Sequence, residues 1–392
     1  PLRQTCRWQG GMTEQMPDGD ERPPVAPSLP ERLEDRIRSE GAITFAEFME
    51  AALYDPDEGF YSGSPVGERG DFVTAPHMSS AFGVLVARQV EEFFELLDKP
   101  DPFWVVEAGA GDGTLAGQIL EFLPTTVRAA TNYVAVERSA AGRRAMEGLD
   151  ALVRSEMGEV APGLVGCVLA NELLDNLPFH WLRGTAAGPA ELHVGLEGDR
   201  LALVERPPST SEVAELCGDL APGQEAVVHP QALRFLDQAA SALERGYIWL
   251  VDYGFSGGTR PGAPHGYRGH RLESDVLTDP GSRDITAGVD FDALARHAMD
   301  AGHAVWGPVS QREALIALGY RELDDDARRR QVQTAAEGRG IEAMRIYSAR
   351  SRATILVDPT ALGGFLVLCI GVDVDLPPTS TEGGPPPALR GR

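Results

Sequence analysis

The chain has 392 residues, 43% of them hydrophobic and 24% charged, a composition that supports one large globular core with a smaller subdomain. Its 59 acidic residues outnumber 35 basic ones and give a formal net charge of −24, which disfavours nucleic acid and anionic lipid as partners. An acidic surface suits a cationic substrate or a basic partner, although solubility alone also explains it.

The four cysteines, Cys6, Cys167, Cys217 and Cys369, are far apart and form no paired-cysteine motif. This spacing argues against a disulfide framework or a zinc ribbon and favours a reducing compartment. No apolar run approaches the roughly 18 residues that a membrane-spanning helix needs, and the N-terminal residues show no signal or presequence pattern. We therefore expect a cytoplasmic protein without a membrane span.

The first hundred residues divide into two segments. Residues 1–28 are rich in proline, glycine and charge, which predicts a disordered tail. Residues 29–100 carry amphipathic patterns that predict a helical and lid segment, including a long loop from residue 54 to 76 that is dense in glycine, proline and aromatic residues. The helix expected from Phe82 to Leu97 is either part of the core or the face of a homodimer.

Short apolar runs alternate with helical patterns beyond residue 101. Near-continuous apolar strands separated by helices predict a parallel sheet that is covered on both faces, as in a Rossmann-like α/β fold. The runs that predict these strands cover residues 103–107, 133–136, 166–170 and 247–251.

The sheet domain is predicted over residues 101–371, with one interruption at about residues 179–229. There, apolar residues alternate with turn residues, which predicts an antiparallel β insert. Apolar runs at 352–357 and 364–369 predict additional edge strands. Residues 372–392 return to proline, glycine and threonine and are predicted to be a second disordered tail.

The strongest local signal follows the first predicted strand, where Glu107-Ala-Gly109-Ala-Gly111-Asp-Gly113 precedes a helix. Glycines allow a sharp turn and a close approach to a nucleotide, and the helix N-terminus offers free N–H groups. A dinucleotide loop has the spacing G-x-G-x-x-G. The spacing here, an acidic residue and then G-x-G-x-G, resembles the first motif of class I methyltransferases. That resemblance implies S-adenosylmethionine as cofactor, with Glu107 beside its ammonium group.

Glu137 ends the next strand, 24 residues after Gly113. A carboxylate at this position can accept hydrogen bonds from both ribose hydroxyls of a nucleotide. Both S-adenosylmethionine and NAD carry ribose hydroxyls, so Glu137 does not distinguish them. The spacing of the glycines in the loop favours S-adenosylmethionine. In the alternative interpretation the segment binds no ligand: the glycines form only a tight turn between strand and helix, and Glu137 is a surface cap.

Further strings resemble the MidA-like methyltransferases and follow the family's order over about residues 40 to 370. The resemblance implies a Rossmann-like class I methyltransferase sheet with an N-terminal helical and lid segment and an antiparallel β insert. It also implies methylation of an arginine in a protein substrate, by resemblance a subunit of the respiratory complex I type. The strings are Ile43-Thr-Phe-Ala-Glu-Phe-Met49, Tyr54 to Tyr61, Gly70-Asp71-Phe72-Val-Thr74-Ala-Pro76, Asn171-Glu172-Leu-Leu-Asp175-Asn-Leu-Pro178, Val251-Asp252-Tyr253-Gly254 and Asp284-Ile-Thr286-Ala-Gly-Val-Asp290-Phe291.

The matching strings contain the candidate site residues. Asn171, Glu172 and Asp175 follow a strand, at the edge where open α/β sheets bind ligands. If the acceptor is a guanidinium, carboxylates can hold its planar fork of N–H donors, and Glu172 is the first choice for that role, with Asp175 the second. Asp71 and Thr74 are candidates for a lid over the cofactor. Helix caps and turns are the alternative interpretation of these five residues.

Three other functions remain open at this point. The same cofactor site could methylate a small molecule, or the chain could be an assembly factor that binds cofactor and partner without turnover. An NAD-dependent oxidoreductase is disfavoured by the loop spacing. The eight histidines show no metal-ligand spacing, so no metal is expected.

Overall fold

The computed structural model describes residues 26–63, 74–259, 262–268 and 271–381. Most of the predicted N-terminal tail, the C-terminal tail beyond residue 381 and the lid candidate Asp71 lie outside these residues. Within the described part, no helix combines the length and the apolar character needed to cross a membrane.

Several helices begin at side chains that cap their free N–H groups. Thr44 accepts a hydrogen bond from the Glu47 N–H, and Glu47 accepts one from the Thr44 N–H, a capping box. Ser310 and Glu313 repeat this arrangement. The helices are α1 (Leu29–Glu40), α2 (Phe45–Tyr54), α3 (Ala75–Met78), α4 (Ser80–Leu96), α5 (Thr114–Phe122), α6 (Thr125–Ala130), α7 (Ala140–Ala145), α8 (Ser211–Cys217), α9 (Pro230–Ala242), α10 (Phe291–Asp300), α11 (Gln311–Ala317), α12 (Tyr320–Ala336) and α13 (Gly340–Ala353).

The strands fall into one large sheet and several smaller ones. Apolar runs form the central strands of the large sheet, and alternating sequences form most of the others. The strands are β1 (Ile43–Thr44), β2 (Phe103–Ala108), β3 (Thr131–Val136), β4 (Leu152–Arg154), β5 (Leu164–Asn171), β6 (His180–Thr185), β7 (Gly188–Glu197), β8 (Arg200–Arg206), β9 (Glu225–Val228), β10 (Leu243–Asp252), β11 (Gly254–Phe255), β12 (His265–Arg268), β13 (Arg271–Glu273), β14 (Asp284–Thr286), β15 (Val289–Asp290), β16 (Ala304–Ser310) and β17 (Leu366–Val372).

Among the described residues, seven strands form the large sheet in the order β16, β17, β10, β5, β2, β3, β4. Strands β10, β5, β2, β3 and β4 are parallel, and β17 runs antiparallel between β10 and β16. The four predicted parallel strands are confirmed as β2, β3, β5 and β10. They are apolar throughout because helices cover both faces of the sheet. The order reverses between β2 and β5, which opens a crevice at their carboxyl ends.

An antiparallel sheet joins the N-terminal segment to the β insert. Strand β1 pairs with β7, which also pairs with β6 and β8, and β6 pairs with β9. The ring of Phe45 in α2 packs against Phe179 and Trp181, with ring centroids 5.6 and 5.4 Å apart. The two segments therefore share one apolar core beside the crevice of the large sheet.

Helix α4 belongs to the core of a single chain. Phe82, Leu85 and Phe93 are fully buried. The Phe93 ring stacks on Tyr247 of β10, with centroids 4.5 Å apart. Of the two interpretations of this helix, the structure therefore supports the core and leaves no apolar face of α4 for a second copy.

The described part of the predicted C-terminal tail also packs against α4. The Thr379 N–H donates a hydrogen bond to Glu92 at 2.9 Å. Ser380 and Thr381 are buried. Residues 379–381 form a short 3-10 helix at this position.

The edge strands predicted near the C-terminus are not formed as expected. Residues 352–357 complete α13 and continue as a 3-10 helix that buries Leu356. The second run forms β17, but this strand lies inside the sheet, whereas β16 is the edge strand. Short apolar runs fit buried helices and buried strands equally well, so the pattern alone could not separate them.

Phe93→Ala should lower the free energy of unfolding by about 3–5 kcal/mol, because it leaves a cavity where the ring stacks on Tyr247. Phe122 at the end of α5 is the matched control, since its side chain is 39% exposed. Phe122→Ala should cost less than about 1 kcal/mol. Urea unfolding followed by circular dichroism measures both values, and equal losses would contradict the core position of α4.

Candidate active site

The glycine loop between β2 and α5 requires its glycines. Gly109, Gly111 and Gly113 have φ angles of 74°, 57° and 81°, in the left-handed region that favours glycine. A Cβ atom on Gly113 would lie 2.6 Å from the Met146 side chain. One on Gly109 would lie 3.0 Å from Leu173. The loop therefore has a backbone conformation that glycine adopts without strain, and at Gly109 and Gly113 it is packed too closely for a Cβ atom.

Glu137 directly follows β3, and its side chain is hydrogen-bonded to the glycine loop. One carboxylate oxygen accepts a hydrogen bond from the Gly111 N–H at 2.9 Å, and the other accepts one from the Ser139 N–H at 2.6 Å. A carboxylate has about four acceptor positions, so each oxygen can accept a further donor from a ligand. The geometry is compatible with the predicted ribose contact.

Glu107 lies in β2 and is only 3% exposed. The Tyr133 hydroxyl donates a hydrogen bond of 2.7 Å to its carboxyl group. Burial raises the pKa of Glu107 to about 8, although the bond from Tyr133 acts in the opposite direction. A nearby cation would stabilise the ionised form of this group.

A cavity of about 360 Å³ lies over the carboxyl ends of β2, β3 and β5. Gly113 is not among its lining residues; it caps the N-terminus of α5 instead. A volume of this size lies within the usual range for small-molecule sites. The predicted residues that line the cavity are Thr74, Glu107, Gly109, Gly111, Glu137, Asn171 and Glu172.

Glu172 directly follows β5, and its backbone has a φ of 52°, which is uncommon outside glycine. Its N–H continues the sheet by donating to the Val251 carbonyl at 2.9 Å. One carboxylate oxygen accepts hydrogen bonds from the Ala75 N–H at 2.8 Å and from the Asn171 side-chain amide at 3.1 Å. The other, Oε2, is buried without a hydrogen-bond partner. Burial raises the pKa of Glu172 to about 7.

Asp175 lies away from the cavity, although it is only three residues from Glu172. Its carboxyl group accepts a hydrogen bond of 2.7 Å from the Thr286 hydroxyl. The neighbouring Asp252 accepts from the Leu174 N–H at 2.7 Å. Burial raises the pKa of Asp175 to about 6 and, together with the charge of Asp175, raises that of Asp252 well above its usual value. Asp175 therefore supports the segment that carries Glu172.

Thr74 is the member of the predicted lid pair that lies within the described residues. It lines the cavity and occupies the N-cap position of α3, but its hydroxyl lies 2.8 Å from Nδ1 of His77 and makes no hydrogen bond to a helix N–H. Asp71, the other member, lies outside the described residues. Thr74 thus contributes to the wall of the cavity through α3.

Sequence reasoning missed several residues of the cavity wall. The rings of Tyr54 and Tyr61 stack with centroids 5.5 Å apart, and the guanidinium of Arg138 lies 4.3 Å above the Tyr54 ring. The family-like string from Tyr54 to Tyr61 contained both tyrosines without indicating a role. Gln231 and Phe235 of α9 also line the cavity, and no local pattern marked them.

No metal ligands come together in the described part of the chain. No group of His, Cys, Asp or Glu side chains there has the geometry to hold a metal ion.

Comparison with known proteins gives a consistent result. The model of a family described as S-adenosyl-L-methionine-dependent methyltransferases matches residues 85–309. Protein arginine methyltransferase NDUFAF7 of Bos taurus is 32% identical over 352 residues, which cover 80% of this chain and 78% of that protein. The Homo sapiens protein of the same name is 30% identical over 332 residues, with coverage of 76% and 74%.

A solved structure extends the similarity to the whole fold. The crystal structure of a Burkholderia thailandensis protein bound to S-adenosyl-homocysteine superimposes with a TM-score of 0.79 at 27% sequence identity. The match covers 91% of this chain and 95% of that one. The similarity therefore includes the large sheet, the N-terminal segment and the insert.

The predicted cytoplasmic location is wrong, because the relatives from Bos taurus and Homo sapiens are both named as mitochondrial proteins. Well-separated cysteines indicate a reducing compartment without saying which one. The inference from the cysteine pattern was therefore too specific.

The mixed α/β fold and S-adenosylmethionine as cofactor, both predicted from the sequence, are confirmed. The chain belongs to the MidA-like family of S-adenosylmethionine-dependent methyltransferases.

Proposed function

We propose that this enzyme transfers the methyl group of S-adenosylmethionine to an arginine side chain of a protein. The observation that carries the proposal is the Glu172 carboxylate, which lies in the wall of the cavity and has a buried oxygen, Oε2, without a partner. Buried polar atoms usually have a hydrogen-bond partner, so this oxygen has the capacity to accept a hydrogen bond from a ligand in the cavity. The names of the relatives as protein arginine methyltransferases support the same acceptor.

The cavity residues fit the cofactor. Its methyl group is bonded to a cationic sulfonium, which makes the methyl carbon electrophilic, and its amino acid part carries an ammonium group. We propose that Glu107 receives the ammonium and that Glu137 accepts the two ribose hydroxyls. The left-handed backbone at Gly109 and Gly111 lets the chain approach the ligand where any Cβ would be strained.

Glu172 would orient the acceptor. A guanidinium is protonated at physiological pH and presents a planar fork of N–H donors. A carboxylate that binds two of these donors holds the group in one orientation and draws its charge to one side, which leaves another nitrogen directed at the methyl group. Asn171 donates to the other oxygen, Oε1, and so helps to fix the orientation of the Glu172 carboxylate.

Glu172 can also receive a proton. A guanidinium nitrogen that gains a methyl group must lose one proton for the acceptor to keep a single positive charge. The pKa of Glu172 is raised by burial to about 7, which suits a group that exchanges protons near neutral pH. Asp175, second choice for the acceptor carboxylate, is assigned a supporting position because it does not line the cavity.

Methylation of a small molecule and binding without turnover are the competing functions. The acceptor to test first is a subunit of the respiratory complex I type, which the family resemblance suggests. Incubation with S-adenosylmethionine labelled in the methyl group, followed by acid hydrolysis and amino acid analysis, should yield labelled methylarginine. Label in another amino acid or in a small molecule would exclude the proposed acceptor, and no transfer at all would favour an assembly factor.

Glu137→Ala should weaken S-adenosylhomocysteine binding by about 10-fold to 100-fold, because the ribose hydroxyls and the Gly111 N–H lose a charged acceptor. Isothermal titration calorimetry gives the dissociation constant. Glu147→Ala is a suitable control, since Glu147 is an exposed glutamate that does not line the cavity. An unchanged constant for Glu137→Ala would exclude the ribose contact.

Cofactor binding should release a proton from Glu107. Its carboxyl group is largely protonated below pH 8, and a bound ammonium favours the ionised form, so affinity should rise as the pH increases from about 6 to 8. Glu107→Gln should lose this pH dependence. Calorimetry with S-adenosylhomocysteine in two buffers of different ionisation enthalpy counts the protons. Equal proton release from both proteins would show that Glu107 does not receive the ammonium.

Glu172→Gln should reduce methyl transfer by about 100-fold or more while cofactor affinity is retained, because a positioned acidic group is lost from the reacting centre. Glu313→Gln is the matched control. Glu313 also accepts a backbone N–H hydrogen bond, from Ser310 at 2.9 Å, but does not line the cavity. Turnover by Glu172→Gln at the wild-type rate would contradict the proposed role.

A further inference from the structure

His77 connects two parts of the site that are far apart in sequence. Its side chain is 9% exposed and lines the cavity from helix α3. The Nε2 atom lies 3.0 Å from a carboxylate oxygen of Asp112 and 3.2 Å from the Thr114 hydroxyl. Asp112 and Thr114 flank Gly113, at the point where the glycine loop passes into α5.

The hydrogen-bond partners of His77 determine which nitrogen of its ring carries the hydrogen. An ionised carboxylate only accepts hydrogen bonds, so Nε2 must carry the hydrogen that it donates to Asp112. On the other side, Nδ1 lies 2.8 Å from the Thr74 hydroxyl, which can donate or accept. Asp112 accepts a second bond of 3.0 Å from the Thr114 N–H. One carboxylate therefore holds both the start of α5 and the His77 ring.

The short helix that carries His77 also contacts Glu172, the residue proposed to orient the acceptor. The Ala75 N–H, two residues earlier, donates the 2.8 Å bond to Glu172. The side chain of Gln118 in α5 donates to the Pro76 carbonyl at 3.0 Å. Since α3 has only four residues, a shift at His77 must also displace the Ala75 N–H.

We infer that His77 is a positioning residue that fastens α3 to the cofactor loop, so that the conformation of the loop sets the orientation of Glu172. His77 acts through Asp112 on the cofactor side and through the Ala75 N–H on the acceptor side. The part that concerns Glu172 rests on the proposed function of that residue. The part that concerns the cofactor loop does not, because it rests on the separate assignment of the glycine loop to the cofactor site.

The test is a double-mutant cycle read out by binding of S-adenosylhomocysteine. His77→Ala and Asp112→Ala should each weaken binding by on the order of tenfold, the scale of one hydrogen bond to a charged group. The double variant should bind about as weakly as Asp112→Ala alone, because Asp112→Ala already removes the contact with His77 as well as the bond from the Thr114 N–H. His77→Gln should recover most of the affinity, since its side-chain amide can donate to Asp112.

Hydrogen exchange of residues 74–79 supplies the second readout. In the wild type, S-adenosylhomocysteine should slow exchange of the Ala75 amide, and in His77→Ala this protection should be lost. A merely structural histidine would not link cofactor binding to that amide. His297→Ala is the matched control, because His297 also pairs with an aspartate, Asp237 at 2.7 Å, but does not line the cavity.

Wild-type affinity in His77→Ala, or additive losses in the double variant, would overturn the inference. Lost affinity with an unchanged Ala75 amide would refute the link to Glu172 and leave His77 as part of the cofactor site alone. If His77→Ala does not fold, His77→Gln and Asp112→Asn test the same contact with smaller changes. Neither readout requires a methyl acceptor. A failure to detect methylarginine therefore leaves the outcome of these two measurements unaffected.

Discussion

Strands β2, β3 and β5 are adjacent and parallel, and so their carboxyl ends meet at one edge of the sheet. Each strand brings one glutamate to that edge: Glu107 in β2, Glu137 after β3 and Glu172 after β5. The cavity, the glycine loop and the contacts of α3 are all built around these three carboxylates. Parallel pairing is thus the constraint on which the remainder of the site depends, because an antiparallel neighbour would place its carboxyl end at the opposite edge.

Grouping carboxylates in one buried region has an electrostatic cost, which is visible in their pKa values. Burial raises the pKa of Glu107 to about 8 and that of Glu172 to about 7. Asp284, bonded to the Tyr61 hydroxyl and the Asn176 side chain, has a pKa raised to about 7 by burial as well. Glu107 and Glu172 line the cavity, whereas Asp284 does not, and a positive charge beside these two glutamates restores their ionised forms. The cavity therefore favours cationic ligands. A sulfonium cofactor and a guanidinium acceptor both meet this requirement.

The sequence predicted the parts of the fold whose signals are local. Four continuous apolar runs became parallel strands, and the alternating insert became an antiparallel sheet. It did not predict β16, because Ala304 to Ser310 includes a glycine and a proline and lacks a continuous apolar run. It also gave no indication of Arg138 above Tyr54, since these residues are 84 positions apart and meet only when the segment after β3 contacts α2 in the folded chain.

By itself, the sequence determined the glycine loop and the acidic residue that ends the following strand. These features depend on backbone conformation and strand length, which neighbouring residues decide. Only the tertiary structure decided which acidic residue reaches the cavity: Glu172 lines it, whereas Asp175 turns toward Thr286. The same is true of His77, which meets Asp112 only because α3 lies against the cofactor loop. The direction of a side chain depends on the elements packed around it, and those are distant in sequence.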